Sequence, residues 1–480
     1  MDVDVSGEPR QDRRMTDAMV GDLVAALGER GVLSEAGDLA RYEQGWRYGH
    51  GRARCVARPS TTEGVAATLR ICSDAGVRVV PQGANTGLVA ASTPDQSGAM
   101  VVLSLERLNQ TIDLDVEDRT VVVDGGVLLS TLNEALAEHG YWFPVDLGAD
   151  PQIGGMVATN TGGTRLLKYG DVRHNLLGVE VVLADGRVVS QLNRLRKNNT
   201  GLDSKQLFVG TAGAFGVVTR AALAVAPKPA QTATALIGCR DGAAVLELLG
   251  AVEQGLADFL SAFEVMGAAA MDAVFRHQQA VRRPFDEAPA YGVLVELATT
   301  LPAGVVDLDE ILVARLGAHM RAAKAGVSDV LLDASDDFWQ LRHHVSESLR
   351  SDGEMVAFDV SVARSRLPAL TERVRAYLCE HHPRVWLCDY GHWGDGGSHL
   401  NVLWSRGDVA DVAGLKATLQ EAVYTMVVRE FDGSFSAEHG VGPHNQRFYD
   451  AFTDDAVKQL CRSVGSVCDP RGLLGNVQLG

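Results

Sequence analysis

Four glycine-rich segments, each beside a strand-like apolar run, constrain the first 225 residues more than any other feature of the sequence. They occupy residues 81–88, 148–155, 159–163 and 210–216. Glycine has no Cβ, so its backbone N–H groups can approach a phosphate group or a flat ring closely. A single segment of this kind is commonly an ordinary tight turn. Four of them within one domain favour a single extended ligand.

The context of the first segment excludes the nicotinamide dinucleotide fingerprint. An apolar strand at 55–57 precedes a helix that opens with capping-box spacing at 60–63, and a second strand covers 77–80. After residues 81–88 no helical period follows, and the next apolar run is a strand at 100–105. A Rossmann loop would open a helix at this point. We therefore expect an α+β domain, for which FAD is a ligand of suitable length.

Composition limits which binding partners and which cellular compartment are expected. The net charge of -17 would repel a phosphate backbone, so no nucleic-acid partner is expected. No apolar run reaches the roughly 20 residues that span a bilayer, and the polar start of the chain lacks the apolar region of a secretory signal. The cysteines are scattered without a C-x-x-C pair, which predicts reduced thiols and a cytoplasmic location.

A histidine hairpin is the strongest chemical signal in the second half. Strand-like runs at 385–390 and 400–404 flank the connection H-W-G-D-G-G-S-H at 392–399. A tight hairpin would place His392 and His399 across from each other, and two imidazoles on one face suit a divalent metal such as zinc. For the pair alone, packed polar residues are the competing interpretation.

A carboxylate and an imidazole stand side by side further along the chain, in F-S-A-E-H-G-V-G at 435–442. Neighbours in an extended segment point in opposite directions. Glu438 and His439 could therefore divide two tasks, one binding a metal while the other faces the substrate.

The sequence resembles the FAD-linked D-2-hydroxy-acid dehydrogenases, which include D-2-hydroxyglutarate and D-lactate dehydrogenases, within the vanillyl-alcohol-oxidase flavoprotein superfamily. The resemblance spans roughly residues 40 to 480. Its motifs are P-Q-G-A-N-T-G-L at 81–88, D-L-G-A-D at 146–150, I-G-G-M-V-A-T-N-T-G-G at 153–163, Y-G-D-V-R-H-N-L-L-G-V-E-V-V-L-A-D-G at 169–186 and G-T-A-G-A-F-G-V-V-T at 210–219.

The resemblance implies noncovalent FAD, because Asn85 and Thr86 occupy the stretch where some relatives carry a flavin-linked histidine. It implies that residues 83–88 line the pyrophosphate, that the second and third segments follow the ribityl chain and flavin, and that residues 213–218 lie near the adenine end. The implied FAD-binding residues are Pro81, Gly83, Ala84, Asn85, Thr86, Gly87, Leu88, Gly148, Gly154, Gly155, Thr159, Asn160, Gly162, Gly163, Tyr169, Gly170, Gly213, Gly216 and Val218.

The resemblance also implies the roles at the second site. His392, His399 and Glu438 are the implied ligands of a divalent metal, zinc by the donor set, and His439 is the implied general base. The implied substrate-binding residues are Arg342, Ser346 and Asn401. Without the resemblance, a surface helix arginine is an equal interpretation of Arg342. The implied reaction oxidises a D-2-hydroxy acid to the 2-oxo acid, with hydride transfer to flavin N5 and electrons passed to an external acceptor.

Three positions depart from the family pattern. Ala357 falls where 2-hydroxyglutarate enzymes tend to have lysine, which puts 2-hydroxyglutarate as the substrate in doubt. Gly397 replaces a usual asparagine in the hairpin. The segment L-G-N-V at 474–477 replaces an N-P-G-K-like sequence, a change that could loosen C-terminal flavin contacts.

The family pattern and the break at Lys228 and Pro229 predict the domain organisation. We expect a disordered tail at 1–14, a two-part FAD-binding domain of the vanillyl-alcohol-oxidase (PCMH) type at 15–228, an α+β substrate and metal domain at 229–440, and a C-terminal segment at 441–480 that returns to the FAD domain.

Two other functions compete with the dehydrogenase. One is an FAD-dependent oxidase of a specialised alcohol or sugar acid that uses O2, and the other is a non-enzymatic flavin or metal-binding protein. The intact Glu438–His439 pair argues against the second. The sequence leaves open whether electrons pass to an electron-transfer flavoprotein, a quinone or O2, and whether the chain forms a homodimer.

Overall fold

The computed structural model describes residues 10–321, 326–333 and 337–480. Its strands are β1 Val32–Leu33, β2 Ala53–Ala57, β3 Val79–Gln82, β4 Met100–Ser104, β5 Ile112–Asp115, β6 Thr120–Asp124, β7 Tyr141–Trp142, β8 Leu176–Val182, β9 Val188–Ser190, β10 Val217–Ala224, β11 Ala226–Pro227, β12 Gln231–Cys239, β13 Leu260–Gly267, β14 Tyr291–Thr299, β15 Val327–Asp333, β16 Glu354–Ser361, β17 Trp386–Gly391 and β18 Gly397–Trp404. Its α-helices are α1 Arg10–Leu27, α2 Ala36–Glu43, α3 Thr62–Ala75, α4 Leu129–Ala137, α5 Ile153–Thr159, α6 Leu166–Tyr169, α7 Val172–Asn175, α8 Gly242–Leu256, α9 Ala268–His277, α10 Leu308–Met320, α11 Asp337–His343, α12 Val345–Asp352, α13 Leu367–His381, α14 Val412–Thr425, α15 Gln446–Phe452 and α16 Asp455–Cys468.

The described residues divide into two compact units. The first contains the chain up to Thr161, then Asp171–Ala226 and His439–Gly480, and the second contains Gly162–Gly170 and Pro227–Glu438. No described helix has the length and apolar character needed to cross a membrane.

The first unit is built on two main sheets. A four-stranded sheet has the order β1-β2-β4-β3, with parallel pairing of β2 and β3 to β4, and a five-stranded antiparallel sheet has the order β5-β6-β10-β8-β9. Helices α1 and α3 cover the first sheet through buried side chains such as Leu23 and Leu69. The C-terminal tail joins this sheet, because Leu474 forms a parallel bridge with Val79.

Local signals explain the bounds of the first helices. Thr61 caps α3 by accepting a 3.1 Å hydrogen bond from the N–H of Gly64, and Gly76 ends the helix in the left-handed conformation. The sequence predicts a disordered tail at 1–14. In the structure, helix α1 begins at Arg10, so residues 10–14 are helical instead. Residues 1–9 lie outside the described part.

The second unit is organised around a seven-stranded sheet with the order β15-β12-β14-β13-β17-β18-β16. Its pairs are antiparallel. Helices α9, α11 and α12 pack on one face around a buried apolar cluster that contains Met271, Trp339 and Leu349. Residues 337–352 form two short helices rather than one, because α11 ends at His343 and α12 begins at Val345, with His344 between them.

Residues 162–170 belong to the second unit, whereas the sequence predicts a continuous first domain through 228. Their side chains explain this placement. Arg165 donates two hydrogen bonds, of 2.9 and 3.0 Å, to the buried carboxylate of Glu296 on β14, and Lys168 donates to the carbonyl oxygen of Asp258. A buried carboxylate is stable only when it is paired, so this ion pair holds the segment against β14.

Candidate active site

The first glycine-rich segment follows β3 directly and is fixed by an asparagine. Asn85 has a left-handed backbone with φ of 57°, a conformation that asparagine tolerates better than most residues. Its side chain donates a 2.8 Å hydrogen bond to the carbonyl oxygen of Gln44 and accepts a 2.9 Å bond from Ser92. The backbone of this segment is therefore held in place by contacts within the first unit.

The third and fourth segments lie against each other. Asn160 ends α5 in a left-handed conformation, and the carbonyl oxygens of Val157 and Ala158 accept hydrogen bonds from the N–H groups of Gly210 and Ala212. A Cβ added to Gly213 would lie 3.3 Å from Cγ of Pro81. The structure thus brings the first, third and fourth segments together in the first unit.

The glycines of these segments have two different roles. A Cβ on Gly154 would lie 2.9 Å from the carbonyl oxygen of Val218, so this glycine permits two backbones to pack. A Cβ added to Gly87, Gly148 or Gly155 would instead have no atom within 4 Å among those compared. The side chain of Val218 is buried in the core of the first unit, and its implied role at the adenine end stays a prediction.

A buried polar atom beside these glycines fits a bound cofactor. Among the described residues, Oε1 of Gln152 is buried without a hydrogen-bond partner, and it lies 3.5 Å from the position of a Cβ on Gly83. Buried amide oxygens are rarely left unsatisfied. The open backbone and this oxygen suit a polar, extended ligand such as FAD.

The implied flavin residues do not all lie in one unit. Pro81, Gly83, Ala84, Thr86, Leu88, Thr159 and Gly216 belong to the first unit with the segments above, whereas Gly162, Gly163, Tyr169 and Gly170 belong to the second. A Cβ on Gly162 would lie 4.0 Å from Oε2 of Glu438. In the second unit, Gly162 therefore neighbours the implied metal ligand Glu438.

The histidine hairpin forms, but its register differs from the prediction. His399 on β18 pairs with Tyr390 on β17, not with His392, because β17 ends at Gly391 and His392 begins the connection. The N–H groups of Asp395 and Gly397 both donate to the carbonyl oxygen of His392. This tight turn reverses the chain, so that the centroids of the two imidazole rings lie 5.3 Å apart.

The three implied metal ligands converge. Nε2 of His399 lies 3.4 Å and Nε2 of His392 lies 3.7 Å from the same atom, Oε1 of Glu438. Asp359 on β16 adds a carboxylate that the sequence analysis missed: it can offer an oxygen within 4.8 Å of ligand atoms of His399 and Glu438. Nitrogen and carboxylate donors at these positions suit a divalent cation such as zinc.

Glu438 is held by Asp359, and its segment is not extended as predicted. Residues 435–440 form bends with no strand assignment. Oδ2 of Asp359 accepts a 2.9 Å hydrogen bond from the N–H of Glu438. The chain passes from the second unit into the first at the peptide bond between Glu438 and His439. The division of roles between these neighbours stays a prediction.

A second missed carboxylate, Glu264 on β13, connects the metal ligands with the implied substrate arginine. Its Oε1 lies 2.6 Å from Nδ1 of His392, and its Oε2 accepts a 2.7 Å hydrogen bond from Nε of Arg342. Burial opposes the charge on Glu264, but His392 and Arg342 outweigh it and lower the pKa of this carboxyl to about 2. Burial likewise opposes the charge on His392, but Glu264 raises the pKa of this imidazole well above its usual value.

Arg342 is a buried residue of α11 rather than a surface helix arginine, with 8% of its surface exposed. Its guanidinium lies over the ring of Tyr390, 4.9 Å from the centroid. Ser346 lies half-buried on α12, beyond the break at His344. Arg342 and Ser346 are therefore on separate short helices.

Strand register places the remaining site residues on the same face of the sheet. Asn401 on β18 pairs with Ala357 on β16 and with Cys388 on β17, and His399 pairs with Asp359 and Tyr390. Directly paired residues, and residues two apart on a strand, share a face. Asn401 is buried and donates weak hydrogen bonds to the carbonyl oxygens of Cys388 and His399.

The charges at this face fit a bound cation. Glu264, Asp359 and Glu438 contribute carboxylates, whereas Arg342 contributes a guanidinium and His392 an imidazole whose pKa Glu264 raises. The carboxylate of Asp359 is also buried, where uncompensated negative charge is costly. A divalent cation among His392, His399, Glu438 and Asp359 would balance this excess and make the face receptive to a carboxylate substrate.

Two protein families match the chain. The FAD binding domain family matches residues 53–191, and the family described as FAD linked oxidases, C-terminal domain, matches residues 228–478. The mitochondrial D-2-hydroxyglutarate dehydrogenase of Bos taurus is 36% identical over 454 residues, covering 92% of this chain and 80% of that protein. The D-2-hydroxyglutarate–pyruvate transhydrogenase of Saccharomyces cerevisiae is 33% identical over 451 residues, covering 91% of this chain and 88% of that protein.

The fold is shared with solved flavoproteins. p-Cresol methylhydroxylase with bound substrate superposes with a TM-score of 0.74 at 17% identity, covering 97% of this chain and 96% of that chain. The predicted α+β fold of the vanillyl-alcohol-oxidase type is confirmed. The predicted cytoplasmic location is wrong, because several relatives that span most of this chain are named as mitochondrial enzymes.

Proposed function

Because this chain belongs to the FAD-linked D-2-hydroxy-acid dehydrogenases, and is thus an FAD-dependent oxidoreductase acting on CH–OH groups, we propose that it oxidises a D-2-hydroxy acid with an uncharged side chain, assisted by a divalent metal. The single observation that supports a metal site is the convergence of His392 and His399 on one oxygen of Glu438. Asp359 supports it by holding the backbone of Glu438 and facing His399.

The proposed chemistry divides between the cofactors and the side chains. When bound, FAD supplies the hydride acceptor and the metal supplies positive charge that makes a coordinated hydroxyl more acidic. Arg342 binds the substrate carboxylate through its Nη nitrogens, because its Nε is already engaged by Glu264. His439 takes the hydroxyl proton as general base.

The side-chain preference rests on Ala357. This residue shares a face with His399 and Asn401 through the β16–β18 register, and it provides no charge for a second carboxylate. Met355 on β16 and Trp386 on β17 pack against the apolar cluster on this face. These neighbours support a substrate with a small or apolar side chain over 2-hydroxyglutarate.

The test is bleaching of the yellow flavin by a panel of D- and L-2-hydroxy acids under anaerobic conditions. We expect D-acids with small or apolar side chains to bleach the flavin fastest, and L-acids to bleach it poorly. If no 2-hydroxy acid bleaches metal-loaded protein, the proposed reaction is wrong.

We propose a dehydrogenase rather than an oxidase, in line with the names of the relatives. Steady-state turnover with O2 as sole acceptor should therefore be much slower than turnover with an artificial electron acceptor. Equal rates with the two acceptors would favour the oxidase.

A further inference from the structure

Glu264 is a carboxylate in the middle of the apolar strand β13. Only 1% of its surface is exposed. Met266 pairs with Tyr390, so Glu264, two residues away, lies on the face that carries Tyr390 and His399. A charge so deeply buried destabilises the folded protein unless it is paired.

The pairing partners of Glu264 come from two separate parts of the second unit. Arg342 lies on α11, and His392 lies in the turn after β17. Each oxygen of Glu264 contacts one of them, at 2.7 Å and 2.6 Å respectively. The carboxylate thus sets the position of both side chains relative to each other.

The contact with His392 also selects which ring nitrogen is available to a metal. Nδ1 lies 2.6 Å from Oε1 of Glu264, within hydrogen-bond distance, so it donates its N–H there, and Nε2 is the nitrogen left to coordinate. Nε2 is the atom on the side of Glu438, 3.7 Å from Oε1. Histidines that bind metals commonly donate their second N–H to a carboxylate in this way.

We propose that Glu264 is a positioning residue that couples the metal site to the substrate-carboxylate site. It fixes the tautomer and orientation of the ligand His392 with one oxygen and the guanidinium of Arg342 with the other. This inference rests on the proposed function, because it takes His392 as a ligand and Arg342 as the substrate arginine.

The test is zinc affinity, measured by competition of the metal-free holoflavoprotein with a chromophoric chelator. Glu264→Gln should weaken zinc binding by about 10–100-fold, the usual loss when the carboxylate partner of a ligating histidine is removed. At saturating zinc, the same variant should raise the KM for the hydroxy acid more than it lowers kcat, because Arg342 loses its anchor.

Glu296→Gln is the matched control. Glu296 is a buried glutamate on the adjacent strand β14, bonded by Arg165, Ser261 and Trp339. Its replacement removes a comparable buried charge, and zinc affinity should stay at the wild-type value. If both variants lose zinc equally, Glu264 acts only through stability and the inference is overturned.

A conservative variant keeps the test informative if the Glu264→Gln protein does not fold. Glu264→Asp keeps the charge but withdraws it from both partners, so it should weaken zinc binding in the same direction by a smaller factor. If a folded Glu264 variant binds zinc with the wild-type affinity, the positioning role of Glu264 is overturned, whereas the proposed function is not. A wild-type protein that binds no metal and oxidises hydroxy acids at full rate overturns the proposed function instead.

Discussion

His439 is the residue on which the proposed chemistry depends most directly. It follows Glu438, whose carboxylate meets the two histidine nitrogens. We predict that His439→Asn slows flavin reduction by about 10²–10⁴-fold, the usual contribution of a general base, while FAD and metal stay bound. Rapid-mixing measurement of flavin bleaching at saturating hydroxy acid gives the rate.

The control histidine for this experiment must lie away from both sites. His139, exposed after the end of α4, meets this condition. His444 does not, because its backbone N–H donates to the carbonyl oxygen of Val89, directly after the segment at 81–88. His139→Asn should reduce flavin at the wild-type rate. A His439→Asn protein that does the same would assign the proton to another group.

In the proposed substrate site, Ala357 gives the side chain of the substrate no charged partner. We predict that Ala357→Lys raises kcat/KM for 2-hydroxyglutarate relative to a monocarboxylate by about tenfold or more, since hydrogen bonds to charged groups contribute about 1.5–3 kcal/mol. Ala357→Met adds similar bulk without charge and should not produce this gain. A wild-type enzyme that prefers 2-hydroxyglutarate more than tenfold over every monocarboxylate tried would show that this position has been misinterpreted.

At the scale of the element, two acidic residues inside apolar strands lie on the functional face, although the same signal also marks Asp389 on the other face of β17. Glu264 lies within L-S-A-F-E-V-M-G, and Asp359 lies within E-M-V-A-F-D-V-S. Each of these side chains is buried and bonded to a site residue. A charged residue in the middle of a buried strand needs a partner, and this signal could have revealed both from the sequence.

Other features of these elements depend on three-dimensional context. The glycine segments and the histidine hairpin are visible in the sequence because their residue types and spacing are unusual. The pairing of His399 with Tyr390 is not, because register depends on where β17 ends. The membership of residues 162–170 in the second unit follows from the long-range contact of Arg165 with Glu296, which no local pattern contains.

The buried carboxyl of Asp389 on β17 links the stability of the protein to pH. Burial raises the pKa of Asp389 to about 6 even though Arg375 favours its charged form. A carboxyl with a raised pKa in the folded state stabilises the protein fully below its unfolded pKa of about 4, and this contribution is lost as the pH rises through 6.

We therefore predict that Asp389→Asn makes the free energy of unfolding less dependent on pH between 4 and 6. At pH 7 the variant should be more stable than wild type by up to about 3 kcal/mol, since one pKa unit corresponds to about 1.4 kcal/mol. Urea unfolding at several pH values measures the difference. If the two proteins differ by the same amount at pH 4 and pH 7, the carboxyl of Asp389 is not the group that titrates.

At the scale of the whole molecule, the flavin and metal predictions can be tested separately. In the first unit, the segment at 81–88 has no histidine, and the Asn85 side chain is already bonded to Gln44 and Ser92. We predict that acid precipitation releases the yellow colour into the supernatant. A pellet that stays yellow after washing would mean that FAD is attached covalently through another residue.

The last prediction concerns removal of the metal from the intact protein. The proposed metal ligands lie in the second unit, whereas the glycine segments of the first unit have their own internal contacts. Dialysis against a chelator should therefore remove the metal, leave the FAD absorbance unchanged and abolish bleaching by the hydroxy acid. Without the cation, the carboxylates of Glu264, Asp359 and Glu438 outnumber the two cationic groups, Arg342 and His392, whose pKa Glu264 raises, so an anionic substrate should bind more weakly. Added zinc should restore both binding and bleaching, and His392→Ala should prevent this recovery. Full bleaching by protein that elemental analysis finds free of metal would refute the metal-assisted mechanism while leaving the flavin chemistry intact.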